Sequence, residues 1–223
     1  MTIDALIDKQ DSFEIVRDRI AAILATEVAS QMQLATAAGK DPSDWKLRIF
    51  SERSNPWEQF LDATGDQSPV INVWYESSVF PPGKSNLSER QTSETTYNID
   101  CIGFGISKDG GGAGHLPGDR AAAFEVHRAL RLVRNILMAS DYAYLGLKGT
   151  VGHRWPQSVT VFQPQLDGSS IQKIDGARIA LKVSFNEFSP QATPSTLELL
   201  SVDVFRAEDG EILLEADYDY PAP

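Results

Sequence analysis

Two stretches of the sequence place apolar residues at steps of three and four, and two others alternate them at every second position. Over residues 11–38, Phe13, Val16, Ile20, Ile23, Leu24, Val28, Met32 and Ala35 fall on one stripe, which predicts a helix with a single buried face. Asp11 followed by Glu14 matches a capping arrangement at its start, and Gly39 before Asp41-Pro42 supplies a stop. Over residues 119–139, Ala123, Val126, Leu130, Val133 and Leu137 repeat the pattern, with Asp119 as the expected N-cap. Residues 95–106 alternate instead. Tyr97, Ile99 and Cys101 share one face, and Ile102 and Phe104 make the other apolar near the end, so the far half of this strand is expected to be covered on both sides. Residues 177–188 set Ile179, Leu181, Val183 and Phe185 against Ala180, Lys182, Ser184 and Asn186, the pattern of a half-exposed antiparallel strand.

Further strand signals lie at residues 47–50, at 158–162 and at 69–76, where Val70, Ile71, Val73, Trp74 and Tyr75 supply β-branched and aromatic side chains. The connection between 50 and 69 reads as polar and runs through Pro56 and Gly65. Residues 77–93 hold Pro81-Pro82-Gly83 among mainly polar side chains and read as a long loop or arm, and residues 109–118 as a glycine-rich loop. Residues 197–206 and 211–218 flank Glu208-Asp209-Gly210, a hairpin signal. Two apolar helical stripes and a set of strands are buried most economically in an α+β fold. The expected arrangement is a mainly antiparallel sheet with two helices packed on one face, long loops and an appended C-terminal β-hairpin. At 223 residues one domain is expected. Residues 1–190 form its main body, and 191–223 are the hairpin extension of that domain.

The formal net charge of −11 disfavours a protein that coats nucleic acid, because such binding needs Lys and Arg to neutralise phosphates. Acidic solubility explains the balance, and it also suits a surface past which DNA slides without adhering. Cys101 is the single cysteine, so no intramolecular disulfide and no cysteine-based zinc site forms within one chain, and a reducing site of synthesis is expected. The N-terminal residues mix acids among their apolar side chains, and no run approaches the roughly 18 apolar residues of a membrane span. Neither a signal peptide nor a membrane protein is expected.

Catalytic motifs fail on their parts. Gly83-Lys84-Ser85 ends like a phosphate-binding loop, but Ser78 stands where the first glycine belongs, and Pro81 and Pro82 remove backbone donors. Gly110-Gly111-Gly112-Ala113-Gly114 lacks the dinucleotide-binding register and reads as a flexible connection. His115, His127 and His153 have no metal-ligand spacing. No nucleophile elbow surrounds a serine, and Cys101 in mid-strand reads as a small core residue. Asp217 and Asp219 read as charges guarding an exposed terminal strand. No catalytic residue, cofactor or metal is therefore expected.

One cluster runs against the acidic balance. Arg120, His127, Arg128, Arg131 and Arg134 gather on the second predicted helix. They read either as a solvated face with local ion pairs, Glu125 among the partners, or as a surface that meets the acidic surface of an adjacent subunit.

This order of elements resembles that of phage tail terminator proteins, also called tail-completion proteins. The resemblance is carried by the helices at 11–38 and 119–139, the strands at 70–75 and 97–106 around a long polar loop, and the strands at 159–162 and 179–188, covering about the first 190 residues. It implies a structural virion protein located at the neck end of the tail and made in the host cytoplasm. Such a protein forms a homohexameric ring, caps the tail tube, ends tail polymerisation and presents the surface for head-to-tail joining. The implied partners are other copies of the chain, the tail tube protein, a head-tail connector or neck protein, and a tail sheath as a further candidate, with DNA passing through the channel without specific binding. The family has no signature peptide, so no functional residue transfers to a numbered position. Two departures stand out, the segment 191–223 and the long aromatic-bearing connection 40–67. A closed ring needs heterologous interfaces, which extended arms with apolar tips can reach. The candidate interface residues are accordingly Phe80, Pro81 and Pro82 on the arm and Arg120, Arg128, Arg131 and Arg134 on the helix. The rival readings are another neck or connector protein, a small oligomeric enzyme with an inter-subunit site built from Arg131, His127 and a partner carboxylate, and a generic binding module.

Overall fold

Helix α1 (Ser12–Ala37) starts and stops where its end residues dictate. The Glu14 carboxylate accepts the Asp11 amide at 2.9 Å, satisfying a donor that has no partner inside the helix. At the far end Gly39 turns to a φ of 68°. Its amide then donates to Thr36 and that of Lys40 to Ala35 at 3.0 and 2.9 Å, the paired closure that a left-handed glycine permits. Val16, Ile20, Ile23, Leu24, Val28 and Ala35 are buried, all on the expected stripe.

The chain is described here from a computed structural model covering residues 10–60, 66–81, 90–109, 115–164, 173–188, 199–205 and 212–219. After α1 come β1 (Arg48–Ser51), β2 (Val70–Val79), β3 (Arg90–Gly105), β4 (Lys108–Asp109), β5 (His115–Leu116), α2 (Gly118–Met138), β6 (Val151–Phe162), β7 (Lys173–Phe188), β8 (Leu199–Phe205) and β9 (Ile212–Asp219). Five strands form one sheet in the order β1-β2-β3-β7-β6. Among the described strands of this sheet only the β1–β2 pair is parallel. The fold is α+β, with two helices on one face of a mainly antiparallel sheet. No described helix is long and apolar enough to cross a membrane.

Strand alternation divides the sheet into two surfaces. Ile71, Val73, Tyr97, Ile99, Cys101, Ile179, Leu181 and Val183 meet Ile20, Leu24, Val133 and Leu137 of the helices in the main core. On the opposite face, the 3₁₀ turn Pro56–Phe60 covers Val70 and Ile102. Phe60 is fully buried there, with Trp57, Phe104 and Phe162 packed around it. Burial of both Cys101 and Ile102 bears out the expectation that the far half of β3 is covered on two sides.

Several boundaries differ from expectation. The stretch 77–93 is not all loop. Ser77, Ser78 and Val79 continue β2 against Thr96, Thr95 and Glu94, past a register shift between Tyr75 and Ser77, and β3 already runs from Arg90. Ser93 and Thr95 are buried at this end, and Thr95 shares a hydrogen bond with Ser78 at 2.7 Å, so side-chain hydrogen bonding adds to the ladder in holding it. The connection before β2 is not simply polar, since it delivers Trp57 and Phe60 to the second cluster. Strand β6 begins seven residues before the expected Ser158 and carries two register shifts, one between Pro156 and Ser158. An edge strand accommodates the proline. Within the expected glycine-rich loop, β4 pairs with β5. Helix α2 starts at Gly118 with Pro117, not Asp119, in the cap position. Its buried line is Ala122, Val126, Ala129, Val133, Ile136 and Leu137, whereas Ala123 and Leu130 are only half-buried. Small alanines let this flank approach the sheet closely. At the C-terminus β8 and β9 form the expected antiparallel ribbon, and its turn, Glu208-Asp209-Gly210, lies outside the described residues.

Candidate functional site

A cleft of about 620 Å³ opens on the sheet face opposite the helices. Its floor comes from neighbouring strands: Asn72 and Trp74 of β2, Asp100 of β3, Arg178 of β7 and Phe162 of β6. Asp100 and Arg178 stand directly across the β3–β7 ladder, so the register alone brings them together. Arg178 Nε donates to Asp100 Oδ1 at 2.6 Å and Nη2 to Oδ2 at 3.0 Å. Trp74 Nε1 donates to Oδ2 at 3.0 Å. The guanidinium lies 4.8 Å from the Trp74 ring centroid and 5.4 Å from that of Phe162, contacts that add cation–π attraction to the fork. The hydrogen bonds to Asp100 hold the Arg178 pKa above its ordinary value, against the opposing effect of partial burial.

The wall is the segment after β1. The Asn72 side chain clamps it, accepting the Arg53 amide at 3.1 Å and donating to the Arg53 carbonyl at 2.9 Å. Glu52 reaches the Tyr75 amide at 3.0 Å and Arg17 at 3.2 Å. Arg53 lies with its guanidinium carbon 4.2 Å from the Phe50 ring centroid, and Trp57 closes the side. The arrangement suits binding better than proton transfer. Both Asp100 oxygens are already bonded to Arg178 and Trp74, which leaves the carboxylate a structural role. Cys101, behind Asp100 on the helix face, is fully buried, and burial first, then the Asp100 charge, pushes its thiol pKa up.

The residues singled out from the sequence lie elsewhere. Phe80 and Pro81 follow the last β2 pairing and are exposed, and Pro82 lies outside the described residues. Arg120, Arg131 and Arg134 are exposed on α2. Arg120 packs over Phe124. Arg128 behaves differently. It pairs with Glu125 and donates to the carbonyls of Ser43 and Asp44, tying α2 to the turn after α1. His127 is also on α2, so neither it nor Arg131 enters the cleft. Among the described residues no group of three His, Cys, Asp or Glu side chains gathers to hold a metal.

Sequence reading missed the cleft. Its trace is a single charge set within each of two apolar strands, Asp100 between Ile99 and Cys101 and Arg178 between Ala177 and Ile179. Opposite charges at inward strand positions are the signal that pairs such strands. No protein-family model matches the chain, and no curated protein sequence matches it.

Proposed function

We propose that the chain is a non-catalytic structural virion protein that caps the end of a phage tail tube as a homohexameric ring. In that role it ends tail polymerisation and forms the surface for head-to-tail joining, next to the tube protein and a connector or neck protein. The observation that carries this reading is the β2–β3 arm. Val79 and Phe80 are large apolar side chains left 60% and 46% exposed at its end, outside both hydrophobic clusters. A paired strand is stiff, so the ladder presents Phe80 rather than tethering it. In a ring every copy offers one patch to a different patch on the next, and such an arm supplies the first of the two. The outer face of α2, with Arg120, Arg131 and Arg134 exposed and in no salt bridge among the described residues, supplies a cationic surface for acidic neighbours.

Native mass measured over a wide concentration range tests this reading. A discrete hexamer supports it, and binding to tail tube rather than to the portal separates a terminator from another neck component. A tight dimer or tetramer overturns it, as does a monomer that forms no ring on added tube. The cleft favours one competing reading, a ligand-binding module. A chain that never forms rings, and whose thermal midpoint rises with one small molecule from a panel, would select that reading instead.

A further inference from the structure

The hydrogen-bonding capacity of the cleft is unbalanced. Both oxygens of Asp100 are taken, both ends of the Asn72 amide are used, and Glu52 receives the Tyr75 amide and Arg17 on Oε1 alone. The donors are not used up. Arg178 spends only two of its three nitrogens on Asp100, and the Arg53 guanidinium has an aromatic neighbour but no salt bridge among the described residues. Two arginines with spare N–H groups, Arg178 over Trp74 and Arg53 over Phe50, form a site for a carboxylate, which accepts in a plane from a guanidinium fork.

The chain itself carries such an anion in quantity. Residues 191–223 hold eight acidic residues against one arginine, so this segment contributes −7 of the net −11. The ribbon register pairs Asp203 with Glu215, Ser201 with Asp217 and Leu199 with Asp219, so alternation puts four carboxylate-bearing positions on one face. We infer that the cleft is a peptide-binding site that takes the acidic face of the C-terminal ribbon from a second copy of the chain, through Arg53 and Arg178. The identity of the occupant rests on the ring reading, since a ring needs a socket as well as an arm. The chemistry of the site does not.

Two experiments on full-length protein separate these. In the first, a peptide of residues 214–223 is titrated into the Asp217→Asn/Asp219→Asn chain, whose own ribbon competes less, and tryptophan emission reports the cleft through Trp57 and Trp74. Saturable binding is expected, about tenfold weaker when Glu215, Asp217 and Asp219 of the peptide are replaced by amides and similarly weakened by Arg53→Glu. Equal binding of the two peptides, no binding, or an equal response to inorganic phosphate overturns the site. In the second, Arg53→Glu and Asp217→Arg/Asp219→Arg chains are studied apart and mixed. Neither alone should form the wild-type assembly, and an equal mixture should be rescued to mixed pairs, because the unaltered ribbon of one variant then meets the unaltered cleft of the other. Unchanged assembly of either variant, or no rescue on mixing, overturns docking between copies. Peptide binding without any wild-type ring sinks the terminator reading and keeps the site, and a ring without peptide binding does the reverse.

Discussion

The side chains that define the cleft illustrate how a charge is kept inside a strand. Asp100 has a side chain only 8% exposed, which is costly for a carboxylate unless its oxygens are bonded. The Arg178 fork and the Trp74 indole supply those bonds. Asp100→Ala is expected to lower stability by about 2 kcal/mol in urea unfolding, the cost typical of losing bonds to a charged group, and to shift tryptophan emission as Trp74 loses its acceptor. Cys101 tests burial directly. Its thiol should resist alkylation in the native state and react only as the chain unfolds. Because its folded pKa lies above the unfolded value of 9.0, its contribution to stability is full below that pH and declines as the pH rises beyond it. Phe80 is the opposite case. Phe80→Ala should leave monomer stability within about 0.5 kcal/mol, as for exposed residues generally, while abolishing the proposed ring assembly in native mass measurements.

Among the elements, both helices and the long strands were legible because each carries its own period. The stripe of α1 coincides with its buried residues, and β7 alternates as read. What a period does not contain is the depth of an approach. Helix α2 rides on β3 at Gly105, where an added Cβ would stand 2.0 Å from the Gly118 carbonyl oxygen and 2.2 Å from the Ala122 nitrogen. Both atoms are backbone, so Gly105→Ala must push the helix off the sheet. The expected loss is about 3 kcal/mol, at the upper end for overpacking, with the midpoint of urea unfolding as the measurement. Asp119 shows the reverse limit. It is a good cap residue by type, yet among the described residues its side chain bonds only the neighbouring Arg120 amide, because Pro117 takes the cap position and its fixed φ leads into the first turn.

At the scale of the whole molecule, charge governs what the chain can hold. A chain at −11, whose arginines at 17, 128 and 178 are already bonded to its own carboxylates, should show no retention of duplex DNA at roughly 0.15 M salt, where phosphate contacts are strongly screened. Salt-sensitive DNA binding in a mobility assay would count against the proposed ring channel through which DNA slides. The sequence by itself determined the kinds of elements, the stripe of α1, the mainly antiparallel class and the concentration of acid after residue 190, because each is a property of neighbouring residues. Only the tertiary structure decided that β1 runs parallel to β2, that Trp57 and Phe60 leave an apparently polar connection to close a second cluster, and that Arg128 is spent inside the chain. It also decided the cleft. Asp100 and Arg178 lie 78 positions apart, and nothing local to either names the other until the β3–β7 register sets them face to face.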